Sequence, residues 1–242
     1  MTDEQVQYLA GCVTVNDTLE QLILRNCHLQ PAGLLSIVSV LKNMRTLNFT
    51  SNKFGNHGIK AILNAMSTIN SLQFVNLGSY SITDDLAVEL EEVASCNGGT
   101  TNKTYKLCIN DLTVNDTEAY AIESLISGSS SICHLELANS VIPDARKPMI
   151  VKAMRKHSTL SHLNLSGISV TEEVEDELTS LVANNANLYH LALADCKLKD
   201  SFLVKFPEAL NAHKELLQLN LSSNKFSAMA AVSIGKVVTK NT

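Results

Sequence analysis

One apolar pattern, LxxLxLxx(N/C)xL, fits this chain eight times in register. Its first positions are Leu19, Met44, Leu72, Thr104, Ile132, Leu160, Leu188 and Leu216, spaced by 25, 28, 32, 28, 28, 28 and 28 residues. Position four reads Leu22, Leu47, Val75, Leu107, Leu135, Leu163, Leu191 and Leu219. Position six, two residues on, reads Leu24, Phe49, Leu77, Ile109, Leu137, Leu165, Leu193 and Leu221. A separation of two puts both side chains on one face of a short strand. The period then changes. Ile37, Ile62, Leu90, Ile122, Ile150, Leu178, Phe206 and Ile234 lie 18 residues after each start, and pairs such as Leu181/Val182 follow three and four residues later. Apolar residues at i, i+3 and i+4 form one face of a helix. Each unit is therefore strand, turn, helix and return loop, and no unit buries its apolar face alone.

Stacking such units predicts an α/β solenoid of about eight strand–helix units of ~28 residues. Helices are wider than the ~4.8 Å strand spacing, so the stack must curve, with the parallel sheet on the concave face and helices on the convex face. We expect a single domain over residues 1–242, with residues 1–18 a partial leading repeat that lacks its own strand. There Leu9, Cys12 and Val13 are at helix-face spacing. The pattern resembles the leucine-rich repeat family, in its ribonuclease-inhibitor-like class. That family places a buried Asn or Cys at position nine to satisfy turn backbone. Asn52, Asn224, Cys27 and Cys196 comply, whereas Tyr80, Leu112, Ser140 and Ile168 do not. The middle of the array should therefore turn differently or stack less regularly.

Composition narrows the function. A formal net charge of −5, with scattered Lys and Arg, gives no electrostatic footprint for nucleic acid or an anionic membrane. The start has no secretory character, and no apolar run reaches the ~18 residues of a membrane span. Six cysteines without a CxxC pair read as reduced thiols. A cytoplasmic protein is expected, and the sequons are read as chance. Neither end shows a polar cap, so the ends are expected to meet partners, through self-association or as part of a longer array.

Local features qualify this picture. The insert at Ser95 to Thr104 reads as a surface loop. Pro148 falls in a first helical turn, where proline is tolerated, but Pro207 follows the apolar Phe206, so its helix should start late or kink. Thr171 in `TEEVEDEL` reads as a helix cap followed by favourable acidic residues.

His134, His162 and His190 recur at 28-residue spacing, all at position three. They should form a row on the inner face, beside Glu136 at position five. Two neighbouring imidazoles could share a zinc ion, but three fit one metal poorly. The plainer reading is preferred: a polar residue is needed there, as Gln21, Thr46, Lys106 and Gln218 show in other units. No metal and no cofactor is assigned. Cys108 and Cys133, on adjacent strands, are expected to be solvent-facing. No nucleophile elbow or phosphate loop supports catalysis.

The remaining candidate is a partner-binding concave face comprising Arg25, Arg45, Phe74, Tyr105, Lys106, His134, Glu136, His162 and His190. Arg and aromatic residues tend to anchor interfaces, so the N-terminal half is favoured. We expect non-enzymatic recognition of a protein partner. Arrays of this class resemble the C-terminal repeat regions of NACHT-type (NOD-like) receptors, which implies a ligand-sensing or autoinhibitory role in innate immunity. The nucleotide-binding region of such a receptor would have to lie outside this chain. Two alternatives are a regulator of an enzyme, similar to ribonuclease inhibitor or the activator of the Ran GTPase, and a cytoskeletal adaptor similar to the tropomodulin repeat domain. The absence of Trp and of a strongly acidic tail counts against the first.

Overall fold

The structure is a computed structural model. It describes residues 1–52, 58, 61–62, 65, 68–69, 71–78, 105–128, 132–155, 157–213, 215–228, 230 and 232. The insert at Ser95 to Thr104, Tyr80, and most of the C-terminal helical segment lie outside these residues.

After helix α1 (Asp3–Thr14), strand β1 (Gln21–Ile23) leads to α2 (Pro31–Val38). Strands β2 (Thr46–Asn48), β3 (Phe74–Asn76) and β4 (Tyr105–Cys108) come next. Then follow α3 (Asp116–Gly128), β5 (Ile132–Glu136), α4 (Lys147–Met154) and β6 (His162–Asn164). The described elements end with α5 (Glu172–Asn184), β7 (His190–Ala192), α6 (Phe202–Ala212) and β8 (Gln218–Asn220). All eight strands form one parallel sheet in chain order, β1 to β8. Position four pairs with position four throughout, from Leu22↔Leu47 to Leu191↔Leu219. A one-residue slip would turn every position-four and position-six side chain out of the core, so the repeat fixes this register.

The core lies between the sheet and the helix layer. Leu47, Val75, Leu107, Leu135, Leu163 and Leu191 are buried at position four. Ile37, Ile62, Ile122, Ile150, Leu178 and Phe206 are buried on the helix side. Each such side chain contributes about 1.5–3 kcal/mol by leaving water. Consecutive helices α1–α2, α3–α4, α4–α5 and α5–α6 pack side by side.

Three expectations are corrected here. The face that α1 buries is Val6, Ala10 and Val13, with Leu9 partly buried, and Cys12 is exposed. The helical period from Val13 runs back to Ala10 and Val6, one step away from Cys12. Thr171 is the N-cap of α5, but its side chain makes no capping hydrogen bond. The proline helix α6 begins at Phe202, ahead of Pro207, and runs through it to Ala212. Pro148 does sit in the first turn of α4.

The turns after the strands share one backbone device. Position eight is left-handed at Asn26, Ser51, Asp111, Asn139, Gly167, Asp195 and Ser223. Asn, Asp and Gly tolerate this region best. Buried Asn52 then ties two turns together. Its Nδ2 donates to the carbonyls of Leu24 (2.6 Å) and Phe49 (2.8 Å), and its Oδ1 accepts from the N–H of Cys27 (2.9 Å) and Leu29 (3.1 Å). Asn224 repeats the arrangement against Leu193, Leu221, Cys196 and Leu198. Where the Asn is missing, the turn changes as expected. Ser140 Oγ accepts from Leu112 N–H at 3.1 Å, and a parallel bridge forms between Thr113 and Val141.

Candidate functional site on the concave face

Positions three, five and seven face the concavity. Position five is Asn in four units, and each of these Asn side chains has the same task. Oδ1 of Asn48, Asn76, Asn164 and Asn220 accepts the N–H two residues on, at Thr50, Gly78, Ser166 and Ser222 (3.0–3.2 Å). Such Asx turns hold the chain as it leaves the strand.

Four units depart from this rule, at Ile23, Cys108, Glu136 and Ala192, and two of them, Cys108 in β4 and Glu136 in β5, are adjacent. Position seven of the preceding unit compensates at the second. Asn110 Oδ1 accepts from Ala138 N–H at 2.8 Å, and Asn110 Nδ2 donates to Glu136 Oε2 at 3.0 Å. Ser166 does the same for Ala194, where position five is Ala192. Glu136 is thus relieved of turn duty and points its carboxylate at its neighbours. His134 Nε2 donates to Glu136 Oε1 at 2.9 Å. The His134 bond holds the Glu136 carboxyl down to about 2, against burial, which acts the other way; the Asn110 bond adds to the effect. Cys108 is 3% exposed, not solvent-facing as expected. Burial, then the charge of Glu136, pushes its thiol up to about 12.

The histidines do form a row. Register places His134 beside His162 and His162 beside His190. The first two rings stack with centroids 5.1 Å apart, and the next pair is tilted at 5.7 Å. Ser161 Oγ lies 2.8 Å from His162 Nδ1. Burial first, then His134, His190 and Lys106, lower the His162 pKa. The central imidazole therefore resists protonation.

The other predicted residues are spread along the sheet. Lys106 is exposed and stands in register with Phe74 and His134. Phe74 is half-buried rather than fully solvent-facing. Tyr105 opens β4, and its side chain lies outside the described residues. At the far end, Arg25 Nε donates to Thr50 Oγ1 at 3.1 Å, and Arg45 pairs with Glu20 at 3.2 Å. The structure thus gathers Lys106, His134, Glu136, His162 and His190, and leaves Arg25 and Arg45 apart. It adds Cys108 and Asn110, which sequence reasoning did not assign to the site. The signal was present in the break of the position-five Asn series at two neighbouring units.

A leucine-rich repeat family model matches residues 15–38 and 40–63. Mouse (Mus musculus) NACHT, LRR and PYD domains-containing protein 14 is 24% identical over 98% of this chain and 25% of its own length. Mouse ribonuclease inhibitor is 26% identical over 85% of this chain and 46% of its own length. This is a leucine-rich repeat protein of ribonuclease-inhibitor-like type. Its fold is similar to that of the leucine-rich repeat-containing protein LegL7 from Legionella pneumophila, with a TM-score of 0.51 and 18% identity over 87% of this chain and 68% of that one. The repeat array thus spans a quarter to under half of the length of these two mouse relatives. Leucine-rich repeat domains are typically non-enzymatic binding modules, and this array is a protein-interaction repeat module. Among the described residues, no helix is long and apolar enough to cross a membrane.

Proposed function

We propose that residues 1–242 act as one non-enzymatic recognition domain, the ligand-sensing or autoinhibitory repeat array of a cytoplasmic NACHT-type receptor. The observation that carries this is the concave face. Eight strands in register present a continuous surface with different side chains at each unit. Such a surface suits one extended protein partner. Likeness to a NACHT- and PYD-containing protein along nearly the whole chain supports the receptor context. Lys106, Phe74 and the histidine row are the proposed contact residues, with Arg25, Arg45 and Tyr105 extending the surface.

Two measurements test this. An immunoblot of source tissue, with an antibody against the repeats, should show a product far larger than 26.3 kDa. A single band at that mass would remove the receptor context and leave a free-standing array. Photo-crosslinkers at positions 74, 106 and 190 should capture the same partner in cells, and one at the exposed convex residue Val204 should not. Capture from position 204 alone would overturn the concave assignment.

Likeness to ribonuclease inhibitor supports a second reading, an enzyme regulator. Titrating the purified array into a ribonuclease assay tests it, and unchanged turnover at stoichiometric excess would end it.

A further inference from the structure

We propose that Cys108, His134 and Glu136 form a metal site of the zinc class, linking β4 to β5 on the concave face. Their donor atoms, a sulfur, an imidazole nitrogen and a carboxylate oxygen, all lie within 4.8 Å of one another. Bonds of about 2.0–2.3 Å to a tetrahedral ion bring such donors to within about 4 Å of each other, so small side-chain rotations close the site. Mixed thiolate, imidazole and carboxylate donors select zinc or a similar ion over calcium or magnesium, which take oxygen ligands.

Two further observations point the same way. Position five lacks Asn at Ile23, Cys108, Glu136 and Ala192, and at the two adjacent units among these, Cys108 and Glu136, the replacements are both metal-binding types. Asn110 takes over the lost turn bond and also holds the second oxygen of Glu136, at 3.0 Å. Outer partners of this kind orient a ligating carboxylate. His162 stacks on His134, and its Nδ1 is engaged with Ser161. The fourth position is therefore left facing the concavity. Zinc binding replaces the thiol proton of Cys108, which passes to solvent as the sulfur becomes a bound thiolate. It also replaces the His134–Glu136 hydrogen bond with two bonds to the ion; the proton on His134 Nε2 moves to Nδ1, so that the neutral imidazole ligates through Nε2. The site shares His134 with the proposed contact surface but needs no protein partner, so its test is independent of the recognition role.

The test is titration of the untagged, reduced, chelator-stripped chain with Co²⁺, followed by Zn²⁺. One equivalent of cobalt should give a thiolate-to-metal charge-transfer band, and zinc should bleach it. Cys108→Ser should abolish the band. His134→Gln and Glu136→Gln should each weaken cobalt binding by at least tenfold, and Asn110→Ala by about 10–100-fold. His190→Gln should leave binding unchanged. Circular dichroism establishes that each variant is folded. Should Cys108→Ser fail to fold, the His134 and Glu136 variants decide. Absence of the band, its persistence in folded Cys108→Ser, or undiminished affinity in both His134→Gln and Glu136→Gln would overturn the site.

Discussion

Asn52 and Asn224 make nearly the same hydrogen bonds but differ in burial. Asn52 is 4% exposed, whereas Asn224 is only partly buried. Removing a buried partner leaves the N–H groups of Cys27 and Leu29 desolvated, at about 1–3 kcal/mol each. Asn52→Ala should therefore cost about 2–4 kcal/mol in urea unfolding, and Asn224→Ala clearly less, since water reaches its turn. Gly167 combines φ +77° with a neighbour too close for a methyl group, because a Cβ would sit 2.3 Å from Asn139 Oδ1. Gly167→Ala should destabilise by about 2 kcal/mol or more, and the Asn139→Ala background should reduce that loss. Cys196 occupies the same turn position as Asn52 in another unit, and its thiol donates to Leu165 C=O at 3.2 Å. Burial pushes that thiol up to about 11. A raised thiol pKa means less thiolate, so at pH 8 iodoacetamide should label exposed Cys12 in the native protein and Cys196 only after unfolding. Mass spectrometry of the digest reads both. The sequence pattern identified these three turn residues, because position nine is one position with one task. It did not identify Cys108 as buried, since alternation along a strand tells which face a side chain leaves, not how far its neighbours on other strands cover it.

Among the elements, the helix starts were the least secure part of the sequence reading. Thr171 has the residue type and backbone of a cap without its hydrogen bond. A true reciprocal box lies at α3, where Asn115 Oδ1 accepts from Glu118 N–H at 3.0 Å and Glu118 Oε2 accepts from Asn115 N–H at 2.7 Å. Asn115→Ala should cost about 1 kcal/mol and Thr171→Ala only a few tenths, measured side by side by thermal denaturation. The start of α4 holds a buried lysine that the apolar pattern could not announce. Lys147 Nζ donates to Asp144 (2.6 Å) and to the carbonyl (2.9 Å) and hydroxyl (2.7 Å) of Ser169 in the next unit. The strands were easier to place, because three residues in each must satisfy both the core and two neighbouring strands.

Across the whole molecule, polar ladders run parallel to the sheet. In the return loops, His213 Nε2 bonds the carbonyl of Asn185 at 2.6 Å, Asn185 Nδ2 that of His157 at 3.1 Å, and His157 Nε2 that of Ile126. These residues also recur at 28-residue spacing, yet polar types scattered among loops carry little meaning until the loops are stacked. In such a stack each unit is held by its neighbours. Leu135 at the centre is 1% exposed, whereas Leu219 in β8 is only partly buried. Leu135→Ala should cost about 2–5 kcal/mol, and Leu219→Ala less. Hydrogen exchange should report the first as faster opening across β4 to β6 and the second as loss of protection confined to β7 and β8.

The sequence by itself determined the repeat, the alternation of strand and helix, the parallel order and the register. A period sustained over eight units leaves one way to bury its leucines, and that constraint is local to each unit. Only the tertiary structure decided how the side chains of the concave face contact one another. It set Cys108 beneath Glu136, sent Asn110 across to a neighbouring turn, and stacked His134 on His162. Those contacts join residues one repeat apart in the chain but a strand spacing apart in space, and their outcome depends on side-chain direction and mutual burial.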